Sequence, residues 1–204
     1  MCVILAVTSE TAFLDLGGIP NLTRTYESLC ELFPSNTILV ATSPLNAPKA
    51  DALLENKGGN YELLNCDPLQ PISLLNALTP SLVRFESVLI HDASRPLVGP
   101  EQFKRVLSTF KENVDAVRPV NAFTETLKIL GTGSQIKETL DRSSVKRLST
   151  PELIRTSAID LAGGDTGWFL PLKKSAQIEN VEGTALGLRV NSPADRDLME
   201  LFLD

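Results

Sequence analysis

The stretch His91-Asp92-Ala93-Ser94-Arg95-Pro96 sets a carboxylate and a guanidinium three positions apart, directly after the apolar run Val88-Leu89-Ile90. An acid at a strand end can hold a hard cation such as Mg2+ or accept a substrate hydroxyl; it can equally cap the turn that follows. The Arg95 fork matches a phosphate in shape, and it also suits a plain salt bridge. His91 is the only histidine, which excludes a multi-histidine metal site, and it reads as a packed residue rather than an acid–base catalyst. Ser73 stands at a helix start, where a hydroxyl donates to a nucleotide or simply caps the helix.

These residues need elements that bring them to one edge. Apolar runs at 3–7, 37–42, 61–66 and 87–92 read as buried strands, and 115–120 as a fifth. Helical patterns separate them at 21–33, 47–59, 71–78 and 99–114, with Leu22, Tyr26, Leu29 and Phe33 sharing one face of the first. The alternation implies an α/β fold, a mostly parallel sheet with helices on both faces. In such sheets ligands bind beyond the carboxyl ends of the strands, where Asp92 and Arg95 fall. Segments 124–130 and 134–141, split by Gly131 and Gly133, predict a protruding β-hairpin. Beyond it the pattern predicts a helix over 151–164, strands over 178–183 and 185–190, and a helix over 192–203 capped by Ser192. One domain over 1–204, with a β-arm at about 121–148, accounts for the chain.

The bulk composition narrows the partners. With 43% apolar and 22% charged residues the chain is that of an ordinary globular protein, and no stretch approaches a membrane span. A net charge of −6 argues against nucleic acid or an anionic membrane, so a phosphate must be held by local cations. Cys2, Cys30 and Cys66 lie far apart without ligand spacing, which points to reduced thiols in a cytoplasmic protein.

Taken in order, the segments resemble the 2-C-methyl-D-erythritol 4-phosphate cytidylyltransferase family and its ribitol-5-phosphate cytidylyltransferase relatives. His91–Pro96 is similar to that family's HDAxRP signature; Thr126-Leu127-Lys128, Asp141-Arg142, Thr150-Pro151, Val181-Glu182-Gly183 and Leu188-Arg189-Val190 follow in register. The resemblance implies a Rossmann-like nucleotidyltransferase fold whose subunits pair through the arm as a homodimer. It implies transfer of CMP from CTP to the phosphate of a sugar alcohol, with Mg2+ and release of pyrophosphate. Asp92, Arg95 and Arg189 then stand at catalytic positions, with Asp92 at the metal. Thr126, Arg142 and Thr150 stand at methylerythritol phosphate positions, and Ser73 and Ala93 at nucleotide positions. Arg189 replaces a lysine of the family, and Glu152 a glutamine.

The family's most specific element, a glycine-rich A-A-G-x-G-x-R-M loop after the first strand followed by P-K-Q, has no counterpart. The chain runs through Thr8-Ser9-Glu10-Thr11-Ala12-Phe13-Leu14-Asp15 to Leu16-Gly17-Gly18, a shorter loop without glycine, arginine or lysine before Leu16. Loss of one preorganised donor costs about 10²–10³ in rate, so loss of a cradle and its cations costs more. A T-D-E/D-A-S-like stretch is likewise not found near Gly164-Asp165-Thr166-Gly167-Trp168. Three readings follow: a family member impaired in catalysis or serving as a non-catalytic partner in a homodimer or heteromer, an active cytidylyltransferase, or a binding protein for a small phosphorylated metabolite.

Overall fold

The computed structural model describes residues 1–163 and 167–203, so the 164–166 segment discussed above lies outside the described residues. Strand β1 (Cys2–Ala6) is followed by a short 3-10 turn at Glu10–Phe13, the hairpin β2 (Asp15–Leu16) and β3 (Ile19–Pro20), and α1 (Asn21–Leu32). Gly17 and Gly18, at φ 61° and 82°, form the two-residue turn of that hairpin, where both positions require a positive φ. Then come β4 (Thr37–Thr42), α2 (Ala47–Leu54), β5 (Asn60–Asn65), α3 (Pro71–Leu82), β6 (Ser87–Asp92) and α4 (Pro100–Thr109). The second half comprises β7 (Ala116–Ala122), β8 (Leu127–Leu130), β9 (Ile136–Leu140), β10 (Lys146–Leu148), β11 (Glu152–Arg155), β12 (Ile178–Glu182) and α5 (Pro193–Glu200).

The main sheet runs β10-β7-β11-β6-β1-β4-β5, with β12 also paired to β7. Strands β5, β4, β1 and β6 are mutually parallel, and β11 enters antiparallel between β6 and β7. Burial on both faces explains the continuous apolar runs. Val3, Leu5 and Leu89 pack against Leu22, Tyr26, Leu54 and Phe103 of α1, α2 and α4. Cys2, Ile4 and Ile90 turn the other way, onto Leu74, Leu75 and Leu78 of α3. The α/β architecture with helices on both faces and a mostly parallel sheet is thus the one the alternation implies.

Two expected elements differ. Residues 152–155 form a strand, not a helix: Leu153 joins one core and Ile154 the other. Such alternation suits a strand squeezed between two neighbours, and four residues are too few to display a period in the sequence. Residues 185–190 form no strand, because their polar groups go elsewhere. Val190 N donates to Ser94 O, and Gly187 O accepts from Arg95. The helices at 47–59 and 99–114 stop earlier, at Leu54 and Thr109, and the one at 71–78 continues to Leu82.

The hairpin is present. Among the described residues, strands β8 and β9 pair only with each other, leaving Leu130 and Ile136 exposed, while 121–122 and 146–148 stay in the main sheet. No helix among the described residues is long and apolar enough to cross a membrane.

Candidate functional site

Register brings the chemistry together. Asp92, the last residue of β6, lies level with Ala6 of β1, so its carboxylate meets the chain leaving β1. It is 2% exposed. Its Oδ1 accepts from Thr8 Oγ1 at 2.8 Å and from Ser94 N at 2.9 Å. Its Oδ2 accepts from Arg189 Nε at 2.9 Å, and Arg95 Nε stands 3.8 Å away.

Arg189 closes the site further. Its Nη2 donates to Thr8 Oγ1 at 2.8 Å and Ser9 Oγ at 3.1 Å, and its Nη1 to Asn191 Oδ1. Ser9, Thr11 and Ser94 continue this hydroxyl cluster, with Ser9 Oγ 2.6 Å from Thr11 Oγ1 and 3.2 Å from Ser94 Oγ. Thr11 Oγ1 also donates to Val190 O at 2.6 Å. A guanidinium and side-chain hydroxyls therefore occupy the space beyond β1. Glu10 points away, pairing with Lys49 at 3.5 Å on the surface.

Arg95 is spent on carbonyls: its Nη1 donates to Gly187 O at 2.5 Å and its Nη2 to Leu148 O at 3.3 Å. Burial pushes its pKa below the ordinary value; Asp92 opposes that shift, and the Arg189 and Arg147 guanidiniums add to it. Thr150 is fully buried behind the site, its Oγ1 2.8 Å from His91 Nδ1 and accepting from Asp92 N at 3.3 Å. Burial drives His91 down from 6.5 to about 4, so it is neutral at pH 7. The packed role read for His91 fits this position.

The other candidates lie apart. Thr126 and Arg142 line a separate cleft at the base of the arm, where Arg142 Nη1 donates to Thr124 O at 2.5 Å. Ser73 Oγ accepts from Asp67 N at 2.9 Å and so holds the loop before α3. Ala93 is fully buried, its N bonded to Ala6 O at 2.9 Å. Asp92, Arg95, Arg189 and Thr150 form one cluster; Thr126, Arg142 and Ser73 do not join it within this chain. Thr8, Ser9, Thr11 and Ser94 escaped sequence reasoning, although the hydroxyl run after β1 was a visible signal. Arg147 escaped it with no signal at all.

Mg2+ is the cofactor that the resemblance implies. Both Asp92 oxygens already accept hydrogen bonds, and an ion at Oδ2 would have to displace Arg189. Among the described residues no group of three or more His, Cys, Asp or Glu side chains could hold a metal. As arranged, these residues do not fit a divalent ion. Beside the cluster opens a cavity of about 350 Å3, with Arg95, Arg147 and Arg189 on its walls and Leu188, Leu198 and Met199 among its apolar lining.

Comparison with known proteins gives the family and the fold. The profile of the 2-C-methyl-D-erythritol 4-phosphate cytidylyltransferase family matches residues 5–167. The chain is 30% identical over 187 residues to the 2-C-methyl-D-erythritol 4-phosphate cytidylyltransferase of Cereibacter sphaeroides, covering 88% of this chain and 82% of that one. Its identity to the Frankia casuarinae protein of the same name is 28% over 199 residues, with coverage of 94% and 73%. Among solved structures, 4-diphosphocytidyl-2C-methyl-D-erythritol synthase from Anaerococcus prevotii superposes with a TM-score of 0.79 at 18% identity, over 98% of this chain and 96% of that one. The Thermus thermophilus 2-C-methyl-D-erythritol 4-phosphate cytidylyltransferase gives 0.75 at 22%, over 98% and 97%. At these identities the structural likeness shows the fold.

Proposed function

Because the chain belongs to the 2-C-methyl-D-erythritol 4-phosphate cytidylyltransferase family of isoprenoid biosynthesis, we propose that it binds a sugar-alcohol phosphate as its family does but is impaired in cytidylyl transfer. In the family reaction a phosphate oxygen of 2-C-methyl-D-erythritol 4-phosphate attacks the α-phosphorus of CTP, and pyrophosphate leaves. Such a transfer relies on positioned donors and cations that meet charge as it develops. The observation that supports impairment is the engagement of Asp92 by Arg189 at 2.9 Å, with Thr8 and Ser9 closing over both. Hydroxyls replace the backbone cradle, and no cation stands between Val7 and Leu16 to face a triphosphate.

The β8–β9 arm is the pairing surface for a second copy, or for an intact relative, in the cytoplasm. Exposed Leu130 and Ile136 support that reading. Thr126 and Arg142 would then serve the partner's site, away from their own Asp92.

The test is pyrophosphate release from CTP, Mg2+ and 2-C-methyl-D-erythritol 4-phosphate by pure protein, with the Cereibacter sphaeroides protein alongside. Turnover should lie below that reference by about 10³ or more, the loss expected from several missing donors. Rates near the reference would overturn impairment and establish an active cytidylyltransferase.

A further inference from the structure

Three guanidinium groups line the cavity between β10, the 187–191 segment and α5, and they are not equivalent. Arg95 is spent on the Gly187 and Leu148 carbonyls, and Arg189 on Asp92, Thr8, Ser9 and Asn191. Arg147 has no ion pair or side-chain hydrogen bond among the described residues, and its Nε is buried without an acceptor. A buried unpaired donor is costly, and a cation beside two others costs more unless an anion answers it.

We propose that Arg147 is the direct contact for a phosphomonoester in this cavity, with Arg95 and Arg189 supplying positive field and no divalent cation taking part.

The charges favour a dianion. Three cations line the cavity with one carboxylate, Asp195, whose Oδ2 accepts from Asn191 N at 2.9 Å and Ser192 Oγ at 3.0 Å; Asp92, beside the cavity, is engaged by Arg189. Among the described residues no group of three or more His, Cys, Asp or Glu side chains could hold a metal. The planar fork of Arg147 suits two phosphate oxygens, and Leu188, Leu198 and Met199 offer a wall to a short carbon body. The volume of about 350 Å3 suits a small metabolite. The ligand class rests on the function proposed above; the role of Arg147 rests on its own unpaired geometry.

Calorimetric titration with inorganic phosphate, and separately with glycerol 3-phosphate, tests this on the whole chain. Binding should be unchanged between Mg2+ and EDTA. Arg147→Met should weaken it about tenfold or more, the worth of a charge-assisted pair, and Arg147→Lys should lose part of that. Arg84→Met removes the same charge at the opposite end of the sheet, where Arg84 lines another cavity, and should change nothing. The unliganded melting temperature of Arg147→Met should stay level or rise, because like-charge crowding is relieved; if that variant fails to fold, Arg147→Lys carries the comparison. Parental affinity in Arg147→Met, no binding by the parent, or binding that needs Mg2+ would each overturn the proposal. Pyrophosphate release plays no part in this readout, so the failure of either proposal is distinguishable from that of the other.

Discussion

Glu152 is fully buried at the start of β11, and Arg118 Nε of β7 reaches its Oε1 at 2.5 Å. Burial raises the Glu152 pKa above its ordinary value, against the pull of Arg118. Removing one partner of such a pair strands the other, so Arg118→Met should destabilise by about 3–5 kcal/mol at pH 7. Adding Glu152→Gln should recover much of that loss in denaturant melts; an additive double mutant would show that the pair is not coupled. His91 sets an acid limit. Its folded pKa of about 4 lies below the ordinary 6.5, so the unfolded chain takes a proton first as pH falls. Its contribution is fully present above pH 6.5 and is lost on the way down to about pH 4, in total about 3 kcal/mol. Glu152 runs in the opposite sense, since a raised carboxyl pKa favours the native state on acidification. His91→Gln should flatten the stability slope between pH 6.5 and 4; an unchanged slope would remove His91 from the account.

At the scale of elements, the parallel strands were legible because two-sided burial leaves continuous apolar runs, and α1 because Leu22, Tyr26 and Leu29 keep one face. Strand β11 was not legible. Its Pro-Glu-Leu-Ile-Arg run is held by pairing to β6 and β7, a long-range cause that a short window cannot contain. The same limit hid the site's interior. Asp92 and Arg95 announced themselves by type and place, but that Arg189 would cross from a strandless segment to bond Asp92 depends on a contact 97 positions apart. The arm was legible and its purpose is testable. Leu130→Lys with Ile136→Lys touches exposed residues that pair only within the hairpin. Thermal stability of the isolated chain should stay within about 0.5 kcal/mol. Light scattering should find a dimer in the parent and a monomer in the double variant; a parent that is monomeric throughout would refute the arm as a homodimer surface.

For the molecule as a whole, a net charge of −6 surrounds a cavity whose own charges are mainly positive, so attraction for a phosphate is local while a tetraanionic nucleotide meets the general field. On the function proposed above, two departures act on the same step: the hydroxyl loop after β1 in place of a cradle, and Arg189 on Asp92. They are coupled, because Thr8 and Ser9 of that loop accept from Arg189. Arg189→Lys alone should free Asp92 Oδ2 yet leave a triphosphate unsupported. Replacing 8–15 by a glycine-rich A-A-G-x-G-x-R-M segment alone should supply donors yet leave Asp92 paired with Arg189. Neither change should raise pyrophosphate release by more than about tenfold, whereas together they should raise it by about 10² or more, since contacting groups combine non-additively. Full recovery from Arg189→Lys alone would mean that the hydroxyl loop suffices for the triphosphate and that the guanidinium was the whole obstruction. Recovery from the graft alone would mean that Arg189 moves off Asp92 once Thr8 and Ser9 no longer hold it.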